Sequence, residues 1–345
     1  MIDINRLLTI GFILITTLIT NSYAKEEIPI NNNGNVSFLA IGDTPYTQDE
    51  EFELNNKVIP AIQKRNYPFV VVHGDILSGA ESCTNKLLTK RLNRFYNIKK
   101  DYVFYTPGDN DWTDCDRSSK SEQFSELERL SYVRNYISTN QPNPPKHWNY
   151  KRQKELIENA SWTYKEIQFA TIHMVSTSNG RKEILKDDKN KALDKVDYRD
   201  QANLQWLDFT FEEAKKSNAK AIIIVSQADV TKSKYKSICT KTNRVKCNPF
   251  ESFTNHLRQK AKEFKNSKGE NKPVLFLHGD SNPYCFDKKF GKDITPNLWR
   301  LNAWGDYKPY ADATVVTFNP DNKNKPFEAH TLTSNELPKV SCSKQ

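Results

Sequence analysis

Short, strongly apolar runs alternate along the chain with longer segments in which apolar and polar residues are mixed. The apolar runs are rich in β-branched and aromatic residues and lie at Val36–Ile41, Phe69–Val72, Tyr102–Tyr105, Ile167–Val175, Ala221–Val225, Val274–Leu277 and Ala313–Phe318. Helix-like segments lie between most of them, at about 49–65, 84–99, 122–139, 197–217 and 250–265. This alternation predicts a layered α/β fold, and because the strands carry few polar residues, we expect both faces of each sheet to be buried.

Several of the predicted strands are followed by closely similar short polar sequences. A Gly-Asp pair follows four of them, as Gly42-Asp43, Gly74-Asp75, Gly108-Asp109 and Gly279-Asp280, and a fifth runs into Ser226-Gln227-Ala228-Asp229. Ligands of open α/β sheets bind beyond the carboxyl ends of the strands, where glycine permits tight turns and close backbone approach. We therefore expect the four pairs to converge on one site.

Convergent carboxylates need a compensating charge. They repel each other unless a cation lies between them, so metal binding is a physical reason to collect them. A single Gly-Asp pair after a strand would be an ordinary turn, because both residues are favoured in turns. Repetition at four strand ends favours a metal site over four unrelated turns.

The N-terminus has the pattern of a signal peptide. Arg6 precedes an apolar run from Leu7 to Ile19, and Ser22-Tyr23-Ala24 is a small-x-small cleavage site. A membrane anchor is the alternative, but the apolar run is shorter than the roughly 20 residues needed to span a bilayer. We predict that residues 1–24 are a leader, that 25–345 form a single domain without a transmembrane segment, and that the protein is exported, either periplasmic or secreted.

Six cysteines agree with export, namely Cys83, Cys115, Cys239, Cys247, Cys285 and Cys342. An even count in an exported chain predicts disulfides, although sequence alone does not choose the connectivity. Cys239 and Cys247 are close enough in sequence to close a local loop. A bridge between Cys83 and Cys115 would brace two of the strand-end loops. Free buried thiols are the alternative, and the absence of a CxxC pair disfavours a zinc site.

The formal net charge is +9, with basic residues scattered along the chain, as in Lys186–Lys195 and Lys232–Lys246. This pattern is typical of a solvated surface, and it is also compatible with attraction to anionic substrates or envelope surfaces. The sequence contains no nucleic-acid-binding motif and no basic-aromatic stripe. Nothing in it specifies an oligomeric state.

The strand-end motifs resemble those of the calcineurin-like metallophosphoesterase family. That family has, in order, D-x-H, G-D, G-N-H-D/E, a lone His and G-H-x-H. The corresponding residues here are Asp43-Thr44-Pro45, Gly74-Asp75, Gly108-Asp109-Asn110-Asp111, Gln227 and Gly279-Asp280-Ser281-Asn282. Two further matches are Gln205-Trp206-Leu207 in a predicted helix and Ser176-Thr177-Ser178-Asn179 after a strand. The resemblance implies a four-layer αββα sandwich with two mixed β-sheets.

The resemblance also implies roles for individual residues. Asp75 would bridge two metal ions, Asp43 would bind one of them and Asp109 the other. Gln227, Asp280 and Asn282 stand where the family has histidine ligands. Asn110 stands where the family has the histidine that helps to protonate the leaving group, and Asn110 and Asp111 of this motif are assigned to catalysis. His278, which directly precedes a Gly-Asp pair as His73 does, is assigned to catalysis as a substitute acid. His278 and His73 could equally be strand-end histidines satisfied by backbone. Tyr46 and Trp112 flank the site and are assigned to substrate binding, with packing as the alternative.

The resulting hypothesis is an exported, metal-dependent phosphoesterase that hydrolyses a phosphorylated small molecule or another phosphoester with a metal-activated water. Because every matched ligand is an oxygen donor, Mn²⁺, Mg²⁺ or Ca²⁺ is favoured over zinc, and the resemblance implies a two-ion site. The absence of the family's metal-binding histidines keeps a second hypothesis open. It is a non-catalytic relic of the fold that binds an anionic ligand or a protein partner.

Overall fold

Twelve strands lie at the centre of the part of the chain that the structure describes. The computed structural model describes residues 34–307 and 310–342, so the predicted leader lies outside the described residues. In chain order the strands are β1 (Val36–Ile41), β2 (Val70–Val72), β3 (Val103–Tyr105), β4 (Lys151–Arg152), β5 (Ala160–Tyr164), β6 (Ile167–Thr171), β7 (Ala221–Val225), β8 (Val274–His278), β9 (Cys285–Asp287), β10 (Leu298–Asn302), β11 (Thr314–Phe318) and β12 (Phe327–Thr331).

Helices connect most of these strands. They are α1 (Gln48–Glu53), which continues through a π-helical turn (Leu54–Val58) into α2 (Ile59–Lys64), α3 (Asn85–Tyr96), α4 (Glu126–Thr139), the short turn α5 (Ser176–Gly180), α6 (Lys189–Lys216) and α7 (Glu251–Glu263). Single 3₁₀ turns lie at Thr113–Asp116 and Lys146–Trp148. In the part of the chain that the structure describes, no helix combines the length and the apolar character that crossing a bilayer requires.

The strands form two mixed sheets. The first has the order β12-β11-β1-β2-β3, and the second has the order β4-β5-β6-β7-β8-β10-β9. Within the first sheet β1, β2 and β3 are parallel, whereas β11 and β12 are antiparallel to their neighbours. Within the second sheet β6, β7, β8 and β10 are parallel, and the strands at both edges are antiparallel. The parallel strands therefore place their carboxyl ends along one edge of each sheet.

Alternation of side chains along the strands explains the layers. In β1, Phe38 and Ala40 belong to a core between the two sheets, while Leu39 and Ile41 belong to a core that also contains apolar residues of the π-helical turn, α2, α3 and α4. In β7, Ile223 faces the core between the sheets, and its neighbours face a third core shared with α6 and α7. Since successive strand residues point to opposite faces, wholly apolar strands bury both faces. The predicted four-layer αββα sandwich with two mixed sheets is confirmed.

The six cysteines form three disulfides, and no free cysteine remains among the described residues. Cys83 pairs with Cys115, Cys239 with Cys247, and Cys285 with Cys342. The first bridge joins the segments after β2 and β3, as predicted, and the second closes the predicted local loop. The third ties the C-terminal segment to β9.

Several elements differ from their predicted positions. Strands β4, β5, β9, β10 and β12 were not predicted, because polar or charged residues interrupt their apolar character. In β10, for example, Arg300 is buried and pairs with Asp229 at 3.0 Å, so a charged residue occupies a core strand. Helix α6 begins at Lys189, earlier than the predicted 197, because Asp188 caps it through a hydrogen bond from the backbone N–H of Lys191.

Candidate functional site

The carboxyl ends of three adjacent parallel strands bring three aspartates together. Asp43 follows β1, Asp75 follows β2 and Asp109 follows β3, and all three are at most 5% exposed. Backbone hydrogen bonds fix the spacing of the first two loops, because Asp43 N–H donates to Gly74 O at 3.1 Å and Thr44 N–H donates to Asp75 O at 3.2 Å. The predicted convergence of these aspartates is therefore present in the first sheet.

The second sheet contributes two more of the predicted residues. Gln227 follows β7, and Asp280 follows β8. The backbone N–H of Asp280 lies 3.2 Å from both carboxylate oxygens of Asp43, so the loop after β8 closes over the loop after β1. Asn282, by contrast, is exposed, and no hydrogen bond joins it to the cluster among the described residues. The structure thus brings together five of the six predicted metal ligands; the role of each stays a prediction.

Three of the aspartates have left-handed backbone conformations. The φ angles are 49° at Asp43, 51° at Asp75 and 58° at Asp280. Aspartate and asparagine adopt this region more readily than other residues with a side chain, because their short polar side chains hydrogen-bond locally. Aspartate therefore suits the turn after each of these strands both because it tolerates a left-handed backbone and because it supplies a carboxylate.

Two of the preceding glycines are required by close packing. A Cβ atom on Gly108 would lie 1.9 Å from Oδ1 of Asp75, and one on Gly279 would lie 1.8 Å from Oδ2 of Asp43. Both distances are far inside van der Waals contact, so a side chain at either position would displace a carboxylate. Each Gly-Asp pair accordingly contributes a carboxylate to the cluster, and at Gly108 and Gly279 the missing side chain leaves room for the carboxylate of another pair.

The hydroxyl of Tyr46 lies between two carboxylates of the cluster. It is 3.2 Å from Oδ2 of Asp75 and 3.4 Å from Oδ1 of Asp43, and it accepts a hydrogen bond of 3.4 Å from the amide nitrogen of Asn110. Burial raises the pKa of Tyr46 well above its usual value, and the two carboxylates raise it further. The phenol consequently remains a hydrogen-bond donor at neutral pH.

The amide of Gln227 bridges the other pair of carboxylates. Its nitrogen donates to Oδ2 of Asp75 and to Oδ1 of Asp109, each at 3.0 Å. Its oxygen accepts a hydrogen bond of 2.9 Å from the backbone N–H of Ser176, which fixes the orientation of the amide. A fully buried group with all of these partners is well satisfied. In this orientation Gln227 presents a donor to the carboxylates.

Two hydroxyl groups near Asp109 were not assigned to the site from sequence. The second oxygen of Asp109 accepts hydrogen bonds from Oγ of Ser176 and from Oγ1 of Thr177, the latter at 2.9 Å. Both belong to α5, in which Thr177, Ser178 and Asn179 have left-handed backbone angles. The Ser-Thr-Ser-Asn sequence after β6 could have indicated a turn at this position, since these residues favour such turns.

The cluster carries uncompensated negative charge. The pKa of Asp75 is raised well above its usual value, first by burial and then by the charges of Asp109, Asp43 and other carboxylates. The pKa of Asp280 is raised for the same reasons, with Lys232 acting in the opposite direction. Within the described residues, no lysine or arginine forms an ion pair with Asp75 or Asp109. The groups between the carboxylates are therefore neutral donors.

Asp111 lies behind the cluster and supports the loops. Its Oδ2 accepts hydrogen bonds from the backbone N–H groups of Asp75 and Gly108 and from the hydroxyl of Tyr105, and its Oδ1 accepts one from the N–H of Ile76. The side chain is fully buried, and burial raises its pKa to about 6. These contacts hold the loops after β2 and β3 at their present distance. A catalytic role for Asp111 stays a prediction.

The two strand-end histidines are fully buried. His278 has Nδ1 2.6 Å from the carbonyl oxygen of Gly279, and burial lowers its pKa to about 4, so the ring is neutral. His73 has Nδ1 3.3 Å from Oδ2 of Asp43. His73 therefore reaches a carboxylate of the cluster, whereas His278 contacts the backbone of its own loop. The assignment of His278 to catalysis stays a prediction.

The two aromatic residues assigned to substrate binding lie in different surroundings. Tyr46 is partly exposed, and its ring lies 5.1 Å from that of Tyr307, which is 70% exposed. Trp112 is buried, and its indole N–H donates to Nε2 of His173 at 3.1 Å. Tyr46 and Tyr307 thus lie on the solvent side of the cluster, while Trp112 belongs to a buried polar network.

The donor set determines which cofactor the cluster fits. Carboxylate and hydroxyl oxygens suit Mg²⁺, Mn²⁺ or Ca²⁺ better than zinc. In residues 34–307 and 310–342, however, no group of three or more His, Cys, Asp or Glu side chains is arranged to hold an ion. The oxygen donors thus suit a hard cation in their chemistry, but in this arrangement the Tyr46 hydroxyl and the Gln227 amide occupy the space between the carboxylates.

No protein family model and no curated protein sequence matches the chain. Among solved structures, it is similar to one titled "Structure of PhoD", with 10% identity and a TM-score of 0.48, covering 90% of this chain and 74% of that one. It is also similar to a 5'-nucleotidase from Candida albicans SC5314, with 13% identity, a TM-score of 0.40 and coverage of 86% and 50%. A protein serine/threonine phosphatase from Saccharomyces cerevisiae has 9% identity, a TM-score of 0.32 and coverage of 91% and 83%.

At these identities and TM-scores, none of the three proteins supports a statement about what this chain does. The resemblance to the calcineurin-like metallophosphoesterases is one of fold: two mixed sheets in four layers, with the motif residues at the carboxyl ends of parallel strands.

Proposed function

We propose that the protein is an exported phosphoesterase whose carboxylate cluster binds a hard divalent cation. The observation that carries this proposal is the convergence of Asp43, Asp75 and Asp109, with the neutral Tyr46 hydroxyl and Gln227 amide between them. Buried carboxylates of this kind repel each other, as the raised pKa of Asp75 indicates. A cation relieves that repulsion, so the cluster has a driving force for binding one.

Asp43, Asp75 and Asp109 would hold the cation, with Asp280 at the edge of the cluster. When bound, a divalent cation supplies charge neutralisation for the phosphoester oxygens and activates water for attack on phosphorus. The carboxylates alone would repel a phosphoester, because the cluster and the phosphoester are both anionic.

The chain also supplies neutral donors at the opening of the cluster. The hydroxyl of Tyr46 and the amide of Asn110 are in contact at 3.4 Å, and each can donate to a phosphoester oxygen. Since donors aimed at developing charge stabilise it, we assign both residues to orienting the phosphoester. Asp111 positions the loops that carry Asp75 and Asp109 through the hydrogen bonds that it accepts.

Export is supported by the disulfides. Three bridges involve all six cysteines, and disulfides persist in oxidising compartments such as the periplasm or the extracellular space. The sequence pattern of residues 1–24 points to the same route.

The second candidate is a non-catalytic protein that retains the fold and binds an anionic ligand or a protein partner. The bridge from the Gln227 amide to Asp75 and Asp109 favours it, because a neutral donor already satisfies both carboxylates without a metal. If this candidate is correct, the cluster is a structural feature and cations have no specific effect.

The deciding experiment is a thermal melt of chelator-treated protein titrated with Mn²⁺, Mg²⁺, Ca²⁺ or Zn²⁺, run beside hydrolysis of a chromogenic phosphate ester. We expect a hard ion to raise the melting temperature by linkage and to support hydrolysis. Asp75→Asn should abolish both effects, whereas Asp321→Asn, at an exposed aspartate, should abolish neither. Indifference of the wild-type protein to all three hard ions would favour the non-catalytic candidate.

A further inference from the structure

A cavity of about 470 Å³ lies between α4 and α6, apart from the carboxylate cluster. Its apolar walls come from both helices and from two flanking segments, through Trp112, Leu130, Leu156, Ala192 and Val196. The charged residues around it are Arg134, Lys191, Lys195, Arg199, Glu126 and Glu155. Four cations and two carboxyl groups therefore surround a cavity that has apolar residues in its walls.

Arg199 is the most unusual of these residues. Its side chain is 2% exposed, its NH2 group donates to the backbone and side-chain oxygens of Asn179, and its guanidinium lies 5.1 Å from the Trp112 ring. Its Nε is buried without a hydrogen-bond partner. Burial lowers the pKa of the guanidinium to about 10, and the charges of Asp200 and Glu158 act against that effect, but each of these carboxylates is shared with another cation. A buried cation is costly unless a counter-charge accompanies it. The guanidinium is thus a place where an anion would be stabilised.

Glu126 lines the same cavity but does not supply that counter-charge. It is 1% exposed, and its Oε1 is buried without a hydrogen-bond partner. Burial, followed by the charges of Asp116, Asp187 and Asp114, raises its pKa to about 10. The carboxyl group is therefore protonated at neutral pH, where it can donate a hydrogen bond to an anion.

The lysines at the rim are available for an anion as well. Lys191 and Lys195 are exposed, and within the described residues neither forms an ion pair, whereas Arg134 is already paired with Glu158 at 2.6 Å. Lys191 and Lys195 at the entrance and the Arg199 guanidinium inside together favour an anion in the cavity, against one exposed rim carboxylate, that of Glu155.

We infer that this cavity is a binding site for a small organic anion, one that carries a phosphate or carboxylate group on an apolar body. The anionic group would lie against Arg199 and Glu126, and the apolar body against Trp112 and Leu130. This site is independent of the proposed phosphoesterase function, because none of the cavity residues belongs to the carboxylate cluster.

The test uses phenyl phosphate and benzoate as probes, with neutral benzamide for comparison, and measures binding by titration calorimetry. All titrations are made in chelator, so that no divalent ion can recruit an anion to the carboxylate cluster. We expect at least one anion to bind with a dissociation constant of about 1 mM or tighter and benzamide to bind more weakly. Phenyl phosphate and benzoate together show whether phosphate or carboxylate is preferred.

Variants locate the binding. The double charge reversal Lys191→Glu with Lys195→Glu changes only exposed residues and should weaken binding by about tenfold. The matched control, Lys86→Glu with Lys236→Glu, changes two exposed lysines outside the cavity and should leave binding unchanged. Arg199→Met should abolish binding, provided that a melt shows the variant to be folded.

Three results would overturn the inference: no binding of either anion, equal binding of benzamide, or an unchanged affinity in the Lys191/Lys195 double variant. Asp75→Asn separates this inference from the proposed function. That variant should lose any cation effect at the carboxylate cluster while it keeps the affinity for the anionic probe.

Discussion

The amide nitrogen of Gln227 donates a hydrogen bond of 3.0 Å to Oδ2 of Asp75, so the most crowded carboxylate of the cluster faces a neutral donor. An amide nitrogen and a cation are alternative ways to hold two carboxylates together. The choice between them at this position decides whether the cluster works as a metal site or as a self-contained hydrogen-bond network.

Gln227→Glu tests this relationship directly, because it places a carboxylate of the same shape where the amide now bridges Asp75 and Asp109. In chelator at neutral pH we expect the variant to lose roughly 3–5 kcal/mol of unfolding free energy, the cost of an uncompensated buried charge. A hard divalent ion should restore part of the loss. Chemical denaturation with and without Mg²⁺ measures both effects. The exposed Gln141→Glu is the control, and unchanged stability of Gln227→Glu would contradict the bridging role.

Trp112 and Trp206 form a matched pair for the buried polar network. The indole N–H of Trp112 donates to His173, whereas that of Trp206 is buried without a partner among the described residues. Trp112→Phe leaves an acceptor of His173 unsatisfied, so it should cost about 1–3 kcal/mol more than Trp206→Phe, which removes an unsatisfied donor. Denaturant unfolding of both variants is the measurement. Equal losses would mean that this hydrogen bond adds nothing to stability.

Glu126 should make stability depend on pH in a defined direction. Its pKa is about 10 in the folded protein, because of burial and neighbouring carboxylates, against an ordinary value of 4.5. Between these values the folded state binds one more proton than the unfolded state, so stability falls as pH rises, by about 1.4 kcal/mol per pH unit from this group alone.

Glu126→Gln removes that proton linkage. The advantage of the variant over wild type should therefore grow from pH 5 to pH 8, as measured by denaturation at several pH values. Glu122→Gln, at an exposed position on the same segment, should run parallel to wild type. A constant difference between Glu126→Gln and wild type would show that Glu126 is ionised in the folded protein.

The Cys83–Cys115 bridge should stabilise the loops after β2 and β3. It closes a segment of 32 residues, whereas the Cys239–Cys247 bridge closes one of 8. Replacing a pair by alanines should cost about 2–4 kcal/mol, and the loss should be about 1 kcal/mol larger for the longer segment. Only the Cys83/Cys115 variant should also weaken cation binding, since only those loops carry Asp75 and Asp109. Identical cation affinity in both variants would contradict the bracing role.

The strands that define the site could be predicted from sequence, because β1, β2, β3, β7 and β8 are continuous apolar runs. Strands such as β10 could not, because buried Arg300 has its compensating Asp229 at a distant position in the chain, and no local pattern reports that pairing. The convergence of Asp43, Asp75 and Asp109 followed from their places after parallel strands. The direction of the Gln227 amide did not, since it depends on the backbone N–H of Ser176 in another loop.

The left-handed backbone at Asp43, Asp75 and Asp280 has a consequence for mutagenesis. Alanine at any of these positions would remove a charge and also force an unfavourable backbone, at about 1–2 kcal/mol per residue. Asparagine tolerates the same backbone, so exchange between the two residue types alters the charge of the site in steps of one while each turn keeps its shape. A lineage of such proteins could therefore drift between a strongly anionic and a nearly neutral site without rebuilding a single loop.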